Sequence, residues 1–515
     1  MNIGQFVRRS FFTLLVAAGL LLPVYAQDAQ QVLRLSVGYR TLKNSTTMTP
    51  EKRKEVEALE AQARAAGNEG KYGDALRYYY QAMALLRDQP WTPSRALGTA
   101  LVARSERVIV DPGDTVRLTL TQAFALSEPM KGTLNGNVTI GRQGNNQPEP
   151  VAEIQKLSAL APDFTQKPLE INAKVPDLPD GQYSFIVTLK ADGVEPIVKT
   201  ANVRIARGIN ARSGEIGAGA KALAMELKAK GKDDLLRSLA PVQYASNMVE
   251  LANKGEIQVD RSAFSDDLTR ASAMMSQLAK GENPVRTLRG DFRWAYASGV
   301  DNTIQPFRVF VPSNYDATKK YPLVIALHGM GGDENSYFNG YENGIIKREA
   351  EARGYLVACP KGRGSASMYM GSAERDVIDV LSEMKRNYSI DPDRVYLTGH
   401  SMGGYGSWSV AVSNPDLFAA IAPFAGGGSP ITVSKLGAIA AVPAFVVHGD
   451  ADPTVPVDES RKMVKAAKAV GANVKYVEVP GGNHINIVVP YIKEMFDWFD
   501  THTRQAKGAK AANAN

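Results

Sequence analysis

The stretch that decides the fold is DRVYLTGHSMGGYGSW, residues 393–408, in which an apolar run of strand type meets a run of helix type. A serine between glycines at such a junction fits either an ordinary tight turn or a nucleophile held on a strained corner. In the second case Gly399 and Gly403 are needed because side chains there would clash, and Ser401 is raised above the sheet edge. The free amides at the start of the helix would then favour negative charge at the same place. Because G-x-S-x-G also occurs by chance, the rest of the chain has to decide.

From about residue 286 onward, strand-like runs such as YPLVIALHG alternate with amphipathic helical runs such as AERDVIDVLSEMKRNY. This alternation predicts parallel strands joined by helical crossovers that cover both faces of a sheet. We therefore predict an α/β catalytic domain over residues 286–505, followed by a disordered tail, 506–515.

A serine hydroxyl is inert near neutral pH unless a base takes its proton, and the chain offers five histidines. His328 and His448 each end a strand-like run. His400 lies beside the serine with its side chain directed elsewhere, and His502 lies in a polar carboxyl-terminal stretch. His484, in VPGGNHIN, follows the last predicted strand. A loop histidine is usually a solvated surface residue, but the position of His484 after both serine and acid makes it the predicted base.

The acid is expected between serine and base, where VPAFVVHGDADPTVP places two aspartates on one turn after a strand. Asp450 is closer to the strand end, whereas Asp452 precedes PTVP. We predict that Asp452 orients the imidazole and stabilises its cation. At least one of the two must be a turn-capping carboxylate, and Asp450 is the predicted supporting residue.

An oxyanion site should come from a loop after an earlier strand, and LVIALHGMGGDENSY, residues 323–337, fits this place. Its glycines let the backbone approach a substrate, so that amides can donate hydrogen bonds. We predict the backbone N–H groups of Met330 and Met402 as the donors, with His328 and Gly329 in support. A simple glycine turn would serve structure equally well, but its coincidence with the serine corner favours the functional interpretation.

Residues from about 290 to 500 resemble the α/β-hydrolase superfamily, and within it the secreted esterases related to polyhydroxybutyrate depolymerases, feruloyl esterases and prolyl-oligopeptidase catalytic domains. The stretches LHGMGG, CPKGRG, DRVYLTGHSMGGYGSW, HGDADPTVP and GGNH carry the resemblance. It implies that the serine of the corner, the aspartate of DxxVP and the histidine after the last strand form a triad. These residues are Ser401, Asp452 and His484 here.

The first residues, MNIGQFVRRSFFTLLVAAGLLLPVYAQ, predict a secretory signal peptide over residues 1–26. Arg8 and Arg9 form its basic region, and RRSFF matches a twin-arginine signal only in part. The apolar run is about 12 residues, whereas a bilayer span needs roughly 20, so an uncleaved anchor is the less favoured alternative. We expect an exported protein, periplasmic or extracellular, with no stable membrane span after cleavage.

Three further segments precede the catalytic domain. Residues 27–104 have helical composition, and GKYGDALRYYYQAMALL resembles half of a tetratricopeptide-type hairpin. One such hairpin cannot bury its own face, so we expect it to pack on a neighbouring domain. Alternating runs such as DTVRLTLTQ predict an Ig-like β-sandwich over residues 105–210. Residues 211–285 are again helical and predict a linker.

Composition excludes some classes of protein. The chain has 515 residues, enough for two to four domains, and its 44% apolar and 22% charged residues describe a globular protein. The net charge is only +7 and the basic residues are scattered, which argues against a nucleic-acid partner. The single cysteine, Cys359, cannot form an internal disulfide. It ends an apolar run, which favours a buried structural thiol.

We expect an exported serine hydrolase that cleaves carboxylic esters through an acyl-enzyme and needs neither a metal nor an organic cofactor. One alternative is a peptidase of the prolyl-oligopeptidase type. Such enzymes usually carry a β-propeller, and no repeat of about 40 to 50 residues precedes residue 286, which favours esters. A catalytically silent exported binding protein is the other alternative, and the complete set of catalytic residues argues against it.

The stretches YFNGYENG around Tyr337 and RGSASMYMGSAE around Tyr369 are expected to lie above the active centre and to shape the substrate cleft. Their mixture of polar and aromatic residues would suit a carbohydrate-linked or aromatic ester. The sequence predicts no particular oligomeric state.

Overall fold

The structure is a computed structural model that describes residues 29–144, 148–191, 195–257 and 264–504. The predicted signal peptide, 1–26, and the predicted tail, 506–515, lie outside the described residues. The chain divides into two units. The first runs up to Glu106 and includes Gly113–Val203, and the second comprises Arg107–Pro112 and the chain from Arg204 onward.

The first unit begins with helices that bury a small core of their own. They are α1 (Ala29–Ser45), α2 (Pro50–Asn68), α3 (Tyr72–Leu86) and α4 (Pro93–Ala100). α2 begins where the hydroxyl of Thr49 accepts from the N–H of Lys52, with Pro50 in the first helical position. α2 and α3 are the helices of the expected hairpin. α1 packs on α3, with the ring centroids of Tyr39 and Tyr79 5.2 Å apart. The sequence had predicted a neighbouring domain as the cover, and Leu76 of α3 does share a buried cluster with Phe124 of the region that follows. The cover that α1 provides in addition was not predicted.

Two sheets follow in the region expected to be a β-sandwich. Their strands are β1 (Leu101–Ser105), β2 (Ile109–Val110), β3 (Thr115–Gln122), β4 (Leu134–Arg142), β5 (Glu149–Leu160), β6 (Leu169–Lys174), β7 (Gly181–Lys190) and β8 (Ile197–Ile205). The orders are β1-β3-β6 and β2-β8-β7-β4-β5. Buried residues alternate with less buried ones along β3, as in a strand with one inward face. The expected boundary between residues 104 and 105 falls inside β1.

The segment predicted as a linker is part of the second unit. Its helices are α5 (Ile209–Ala229), α6 (Asp233–Arg237), α7 (Ala240–Asn253) and α8 (Phe264–Ala279). Their buried side chains, among them Met248 and Met274, share one apolar core with the large sheet that follows. The helical period of a sequence shows that a helix has an apolar face but not which surface that face covers. Here the covered surface belongs to the large sheet of the second unit.

An eight-stranded sheet organises the second unit. Its strands are β9 (Gly290–Ala297), β10 (Ile304–Val311), β11 (Tyr321–Leu327), β12 (Leu356–Pro360), β13 (Ile390–His400), β14 (Ala420–Phe424), β15 (Ala444–Gly449) and β16 (Val474–Val479). The order is β16-β15-β14-β13-β11-β12-β10-β9. β9 and β10 pair antiparallel, β10 pairs antiparallel with β12, and the pairs from β12 to β16 are parallel. Every residue of β11 is buried, as expected for a central parallel strand.

Helices cover both faces of this sheet. They are α9 (Ser336–Asn339), α10 (Tyr341–Arg353), α11 (Ser372–Asn387), α12 (Met402–Ser413), α13 (Pro430–Ser434), α14 (Asp458–Ala469) and α15 (Val489–Asp500). Neighbouring residues of β11 point to opposite faces, so Val324 joins the core with α10 and α15, whereas Ile325 joins the core with α11, α12 and α14. This arrangement confirms the predicted α/β architecture.

Two further observations concern the described ranges. Cys359 is buried, its Sγ lies 3.1 Å from the carbonyl oxygen of Ala326, and burial raises the pKa of its thiol well above the usual value. This confirms the predicted buried thiol. Across the described residues, no helix combines the length and the apolar character that a membrane crossing requires.

Candidate active site

Ser401 stands on a sharp turn between β13 and α12. Its backbone has φ +58° and ψ −118°, a conformation that costs a non-glycine residue about 1–3 kcal/mol. A Cβ atom on Gly403 would lie 2.0 Å from the carbonyl oxygen of Leu327, and one on Gly399 would lie 2.3 Å from that of Gly403. Both positions therefore require glycine. These contacts let α12 start directly against the ends of the central strands, with Ser401 at the corner.

Ser401, His484 and Asp452 lie in one hydrogen-bonded chain. Nε2 of His484 is 2.9 Å from Oγ of Ser401, and Nδ1 of His484 is 2.7 Å from Oδ2 of Asp452. An ionised carboxylate can only accept, so Nδ1 carries the proton and Nε2 is left to accept from the serine hydroxyl. His484 lies on the loop between β16 and α15, and its side chain is 12% exposed, whereas that of Asp452 is 0% exposed. The sequence predicted these residues, and the structure brings them within reach of one another.

The environment of Asp452 favours its charged form. Burial alone would raise the pKa of its carboxyl, but hydrogen bonds from His448, His484 and the backbone outweigh burial and hold the pKa well below the usual value. Oδ1 accepts from the N–H groups of Thr454 and Val455 at 2.8 and 2.9 Å. Asp452 therefore stays ionised, as a residue that stabilises an imidazolium must.

Asp450 has a different position. Its Oδ1 accepts from the N–H of Gly481 at 2.7 Å and so ties the turn after β15 to the loop that leads to His484. This is a contact between two loops, whereas the bonds of a turn-capping carboxylate, to N–H groups two and three residues further on, are made by Asp452 itself.

His448 contacts the carboxylate of Asp452, which the sequence did not predict. It is fully buried at the end of β15, and its Nε2 lies 3.2 Å from Oδ2 of Asp452 and 3.0 Å from the carbonyl oxygen of Val455. Its Nδ1 lies 2.7 Å from Oγ of Ser460. Asp452 is thus bonded by two imidazoles, and only that of His484 faces the serine.

His328 lies beneath the glycine-rich loop. Its ring nitrogens lie 2.9 Å from the carbonyl oxygens of Gly329 and Lys361, and the residue is fully buried. It therefore connects the loop after β11 with the loop after β12. His400 is also buried, and its ring contacts Tyr341 and the backbone of His484.

The two predicted oxyanion donors lie on the segments that surround Ser401. Met402 is the first residue of α12, so its N–H is one of those without a partner inside the helix. Met330 belongs to the glycine-rich loop, and a Cβ atom on Gly329 would lie 3.4 Å from Cβ of Ser401. The loop therefore rests on the serine corner. The N–H of Gly331 donates to the carbonyl oxygen of Ser365 at 2.7 Å, which fixes the far side of the loop.

Ser401 and His484 open into a cleft of about 480 Å³. Its lining comprises Gly329, Met330, Gly331, Gly332, Asn335, Ser336, Asn339, Gly340, Tyr341, His400, Ser401, His484 and Ile485. The stretch YFNGYENG contributes to this wall as expected, through Asn339, Gly340 and Tyr341. Tyr337 and Tyr369, which lie in the two stretches, are themselves buried at 1% and 0% exposure. The stretch around Tyr369 supplies none of the lining residues.

The sequence also did not predict a buried group of charged residues that lies behind the cleft. Arg293 on β9 is paired with Asp267 of α8 and with Glu334, whose Oε1 accepts from Nε at 3.2 Å. Asn335, which lines the cleft, accepts from both Arg293 and Arg308 through Oδ1. These contacts fix the loop after β11 to the helices before the sheet. Within the described ranges, no group of three or more His, Cys, Asp or Glu side chains is placed to hold a metal ion.

Known proteins resemble the region that contains this site. The dienelactone hydrolase family matches residues 358–485. A probable feruloyl esterase C from Aspergillus oryzae is 30% identical over 190 residues, 34% of this chain and 66% of that protein. The bifunctional acetylxylan esterase/xylanase XynS20E of Neocallimastix patriciarum is 30% identical over 180 residues, 34% of this chain and 25% of that protein.

The chain thus spans from a quarter to two thirds of the length of these relatives, and both matches cover about a third of the chain. Among solved structures, a thermostable esterase aligns with a TM-score of 0.37 at 17% identity, over 79% of this chain and all of that one. The second unit has the α/β-hydrolase fold, and the chain resembles esterases of that superfamily.

Proposed function

We propose that this chain, whose second unit has the α/β-hydrolase fold, is an exported serine hydrolase of carboxylic esters. The observation that carries the proposal is the unbroken chain of hydrogen bonds from Asp452 through His484 to Ser401, at 2.7 and 2.9 Å, on a strained corner that opens into a cleft. Export rests on the signal peptide predicted over residues 1–26.

The reaction follows from the protonation states at the site. Nε2 of His484 takes the proton of Ser401 as Oγ attacks the ester carbonyl carbon, and the resulting imidazolium is stabilised by Asp452. The negative charge that develops on the carbonyl oxygen is stabilised by the N–H groups of Met330 and Met402. His484 then gives its proton to the departing alcohol, which leaves an acyl group on Ser401.

A water molecule completes the cycle. It gives a proton to Nε2 of His484 and attacks the acyl carbon, and the same two N–H groups hold the second oxyanion. Collapse of this intermediate releases the acid and returns the proton to Oγ of Ser401. His484 and Ser401 are thereby restored.

The cleft and the relatives suggest a range of substrates. The cleft is open and is lined by backbone and by uncharged polar side chains near Ser401, with Ile485 beside the base. The two curated relatives are named for feruloyl and acetylxylan esters. We propose that the substrates are esters of small acyl groups, including aromatic or carbohydrate-linked ones.

The test is a panel of p-nitrophenyl acetate, butyrate and longer esters with a feruloyl ester, run beside peptide anilides. Ser401→Ala should reduce ester turnover by at least about 1,000-fold. Ser409→Ala, on the same helix, is the matched control and should leave turnover unchanged, because its hydroxyl donates to the carbonyl oxygen of Gly406 within its own helix. Faster turnover of peptide anilides would favour a peptidase. Absence of ester turnover in the unaltered protein would favour a binding protein.

A further inference from the structure

The ring of His400 has one defined protonation state. Its Nε2 lies 2.7 Å from the backbone carbonyl oxygen of His484, which can only accept, so Nε2 carries a proton. Its Nδ1 lies 2.8 Å from Oη of Tyr341, which can donate. Burial, with a smaller contribution from the neighbouring His484, lowers the pKa of His400 to about 3. The ring is therefore neutral at ordinary pH, donates through Nε2 and accepts through Nδ1.

The same ring contacts the predicted base directly. The centroids of the His400 and His484 rings are 4.7 Å apart, and the Tyr341 ring meets His400 edge-on at 5.8 Å. His400 is only 3% exposed. Its imidazole thus fills the space between the serine corner and the loop that carries His484, and links them by a hydrogen bond.

Tyr341 reaches this position through an unusual backbone. Tyr341, Glu342, Asn343 and Gly344 have φ of +44°, +57°, +53° and +81°, and the first three of these values are unfavourable for residues with a Cβ atom. The turn is held by a bond from the N–H of Gly344 to the carbonyl oxygen of Gly340 at 2.8 Å. Strain of this kind at a functional site indicates that the direction of a side chain matters. Here it directs Tyr341 at His400 and at the cleft.

We propose that Tyr341 and His400 are positioning residues that hold the backbone of His484. Asp452 fixes the imidazole of His484 from its Nδ1 side, and His400 fixes the main chain of the same residue. Together these contacts keep Nε2 within reach of Ser401, although His484 lies on a loop. This inference rests on the proposed function, since a positioned base implies a reaction at Ser401.

A matched pair of substitutions at His400 tests the proposal. The amide nitrogen of glutamine reaches about as far as Nε2 and can donate to the carbonyl oxygen of His484, whereas that of asparagine corresponds to Nδ1 and cannot. We expect His400→Asn to lower kcat by about 100-fold with little change in KM, because misplacement by about 1 Å has such a cost. His400→Gln should recover most of this loss. Tyr341→Phe removes the hydroxyl that contacts Nδ1 of His400 and should also lower kcat, but by less than His400→Asn does.

A spectroscopic measurement separates positioning from mere folding. The proton that Nδ1 of His484 shares with Asp452 should give a downfield NMR signal in the unaltered protein and in His400→Gln, and a shifted or broadened one in His400→Asn. Equal kcat and equal signals in the Asn and unaltered proteins would overturn the inference, as would equal losses in both His400 variants. If His400→Asn does not fold, Tyr341→Phe is compared with the unaltered protein by the same two measurements, kcat and the downfield NMR signal.

The two proposals fail in different ways. If the unaltered protein hydrolyses esters through Ser401 but the variants match it, only the positioning role is wrong. If the unaltered protein hydrolyses none, the proposed function is wrong, and the His484 signal still shows whether His400 positions that residue.

Discussion

The carboxylate of Asp452 is a buried charge with a hydrogen bond to every accessible lone pair. Two backbone N–H groups bond to Oδ1, and the imidazoles of His448 and His484 bond to Oδ2. A buried carboxylate is stable only when it is compensated in this way. The arrangement also determines the tautomer of His484, because the bond from its Nδ1 to Asp452 leaves Nε2 free to accept from Ser401. One residue therefore stabilises a loop and determines which nitrogen can act as a base.

Asp452→Asn should therefore abolish most of the activity. Its amide would present N–H to Nδ1 of His484 or change the tautomer of the ring, so that Nε2 could no longer accept, and we expect kcat to fall by about 10⁴-fold. Asp450→Asn is the matched control, because asparagine keeps an oxygen that can accept from Gly481. Initial rates of p-nitrophenyl acetate hydrolysis measure kcat in both variants. Similar losses in the two variants would show that Asp452 has no special role.

The same carboxylate has a consequence for stability. Because its pKa is lower in the folded than in the unfolded chain, its contribution is fully present above the unfolded value of about 3.9 and is lost as pH falls towards the folded value. Unfolding midpoints measured below pH 5 should therefore fall less steeply with acid in Asp452→Asn than in Asp450→Asn. Parallel curves for the two variants would contradict this.

At this scale the sequence predicted the residues of the candidate triad and several neighbours, but not the side-chain contacts that hold them. A motif and an order along the chain were enough to name Ser401, Asp452 and His484. The contact of Tyr341 with His400 joins residues 59 positions apart, and although Asn343 and Gly344 favour a left-handed turn, they do not show which side chain it directs inward. The bond from His448 to Asp452 likewise depends on the shape of a loop. The stretch around Tyr337 lines the cleft as predicted, but Tyr337 itself is buried, because an aromatic residue in a polar stretch can equally well point inward.

The strand, corner and helix around Ser401 form one element, and its geometry is possible because glycines, which have no side chain, occupy the closest contacts. The first turn of α12 approaches the end of β11 so closely that Gly403 contacts the carbonyl oxygen of Leu327, and Gly404 lies against Gly426 after β14. Backbone therefore packs on backbone on both sides of the helix start. This brings the helix amides and the glycine-rich loop to the same place.

Gly403→Ala should destabilise this element. The added Cβ would lie 2.0 Å from a carbonyl oxygen, so the helix or β11 must move, and we expect a loss of about 1–3 kcal/mol in the free energy of unfolding together with reduced ester turnover. Gly437→Ala is the control, because nothing lies within 4 Å of its added Cβ. Urea unfolding followed by tryptophan fluorescence is suitable, since Trp408 of α12 is buried. Equal shifts in the two midpoints would refute the packing argument.

Element types were more predictable than their packing partners. Buried parallel strands give continuous apolar runs, so β11, β13 and β15 were evident from the sequence. The helices α5–α8 were predicted to be helical but were interpreted as a linker, and they share the core of the large sheet. A helical period reveals an apolar face, whereas its partner is determined by the folded chain. For the same reason the sequence did not predict that α1 packs on α3.

At the scale of the whole molecule, the candidate site is confined to the second unit. The lining of the cleft comes from residues within the segments 329–332, 335–336, 339–341, 400–401 and 484–485. The charges behind it belong to Asp267, Arg293 and Glu334. The helices of the former linker belong with the site, because Asp267 is paired with Arg293, which also contacts Glu334 and Asn335. A catalytic fragment that began at residue 286 would lack Asp267 and leave a buried arginine with fewer partners, at a cost of several kcal/mol.

These boundaries predict which fragment is active. A fragment of residues 204–504 retains Asp267 together with all the lining residues, so we expect its kcat/KM for p-nitrophenyl acetate to be within about threefold of the full chain. Its melting temperature should be lower, because Ile109 is buried in the same core and the N–H of Val108 donates to Asn253. A fragment of residues 286–504 should be less stable still and less active. A folded but inactive 204–504 fragment, beside an active full chain, would show that residues before 204 contribute to the reaction. Ser401→Ala in both the fragment and the full chain controls for contaminating esterases.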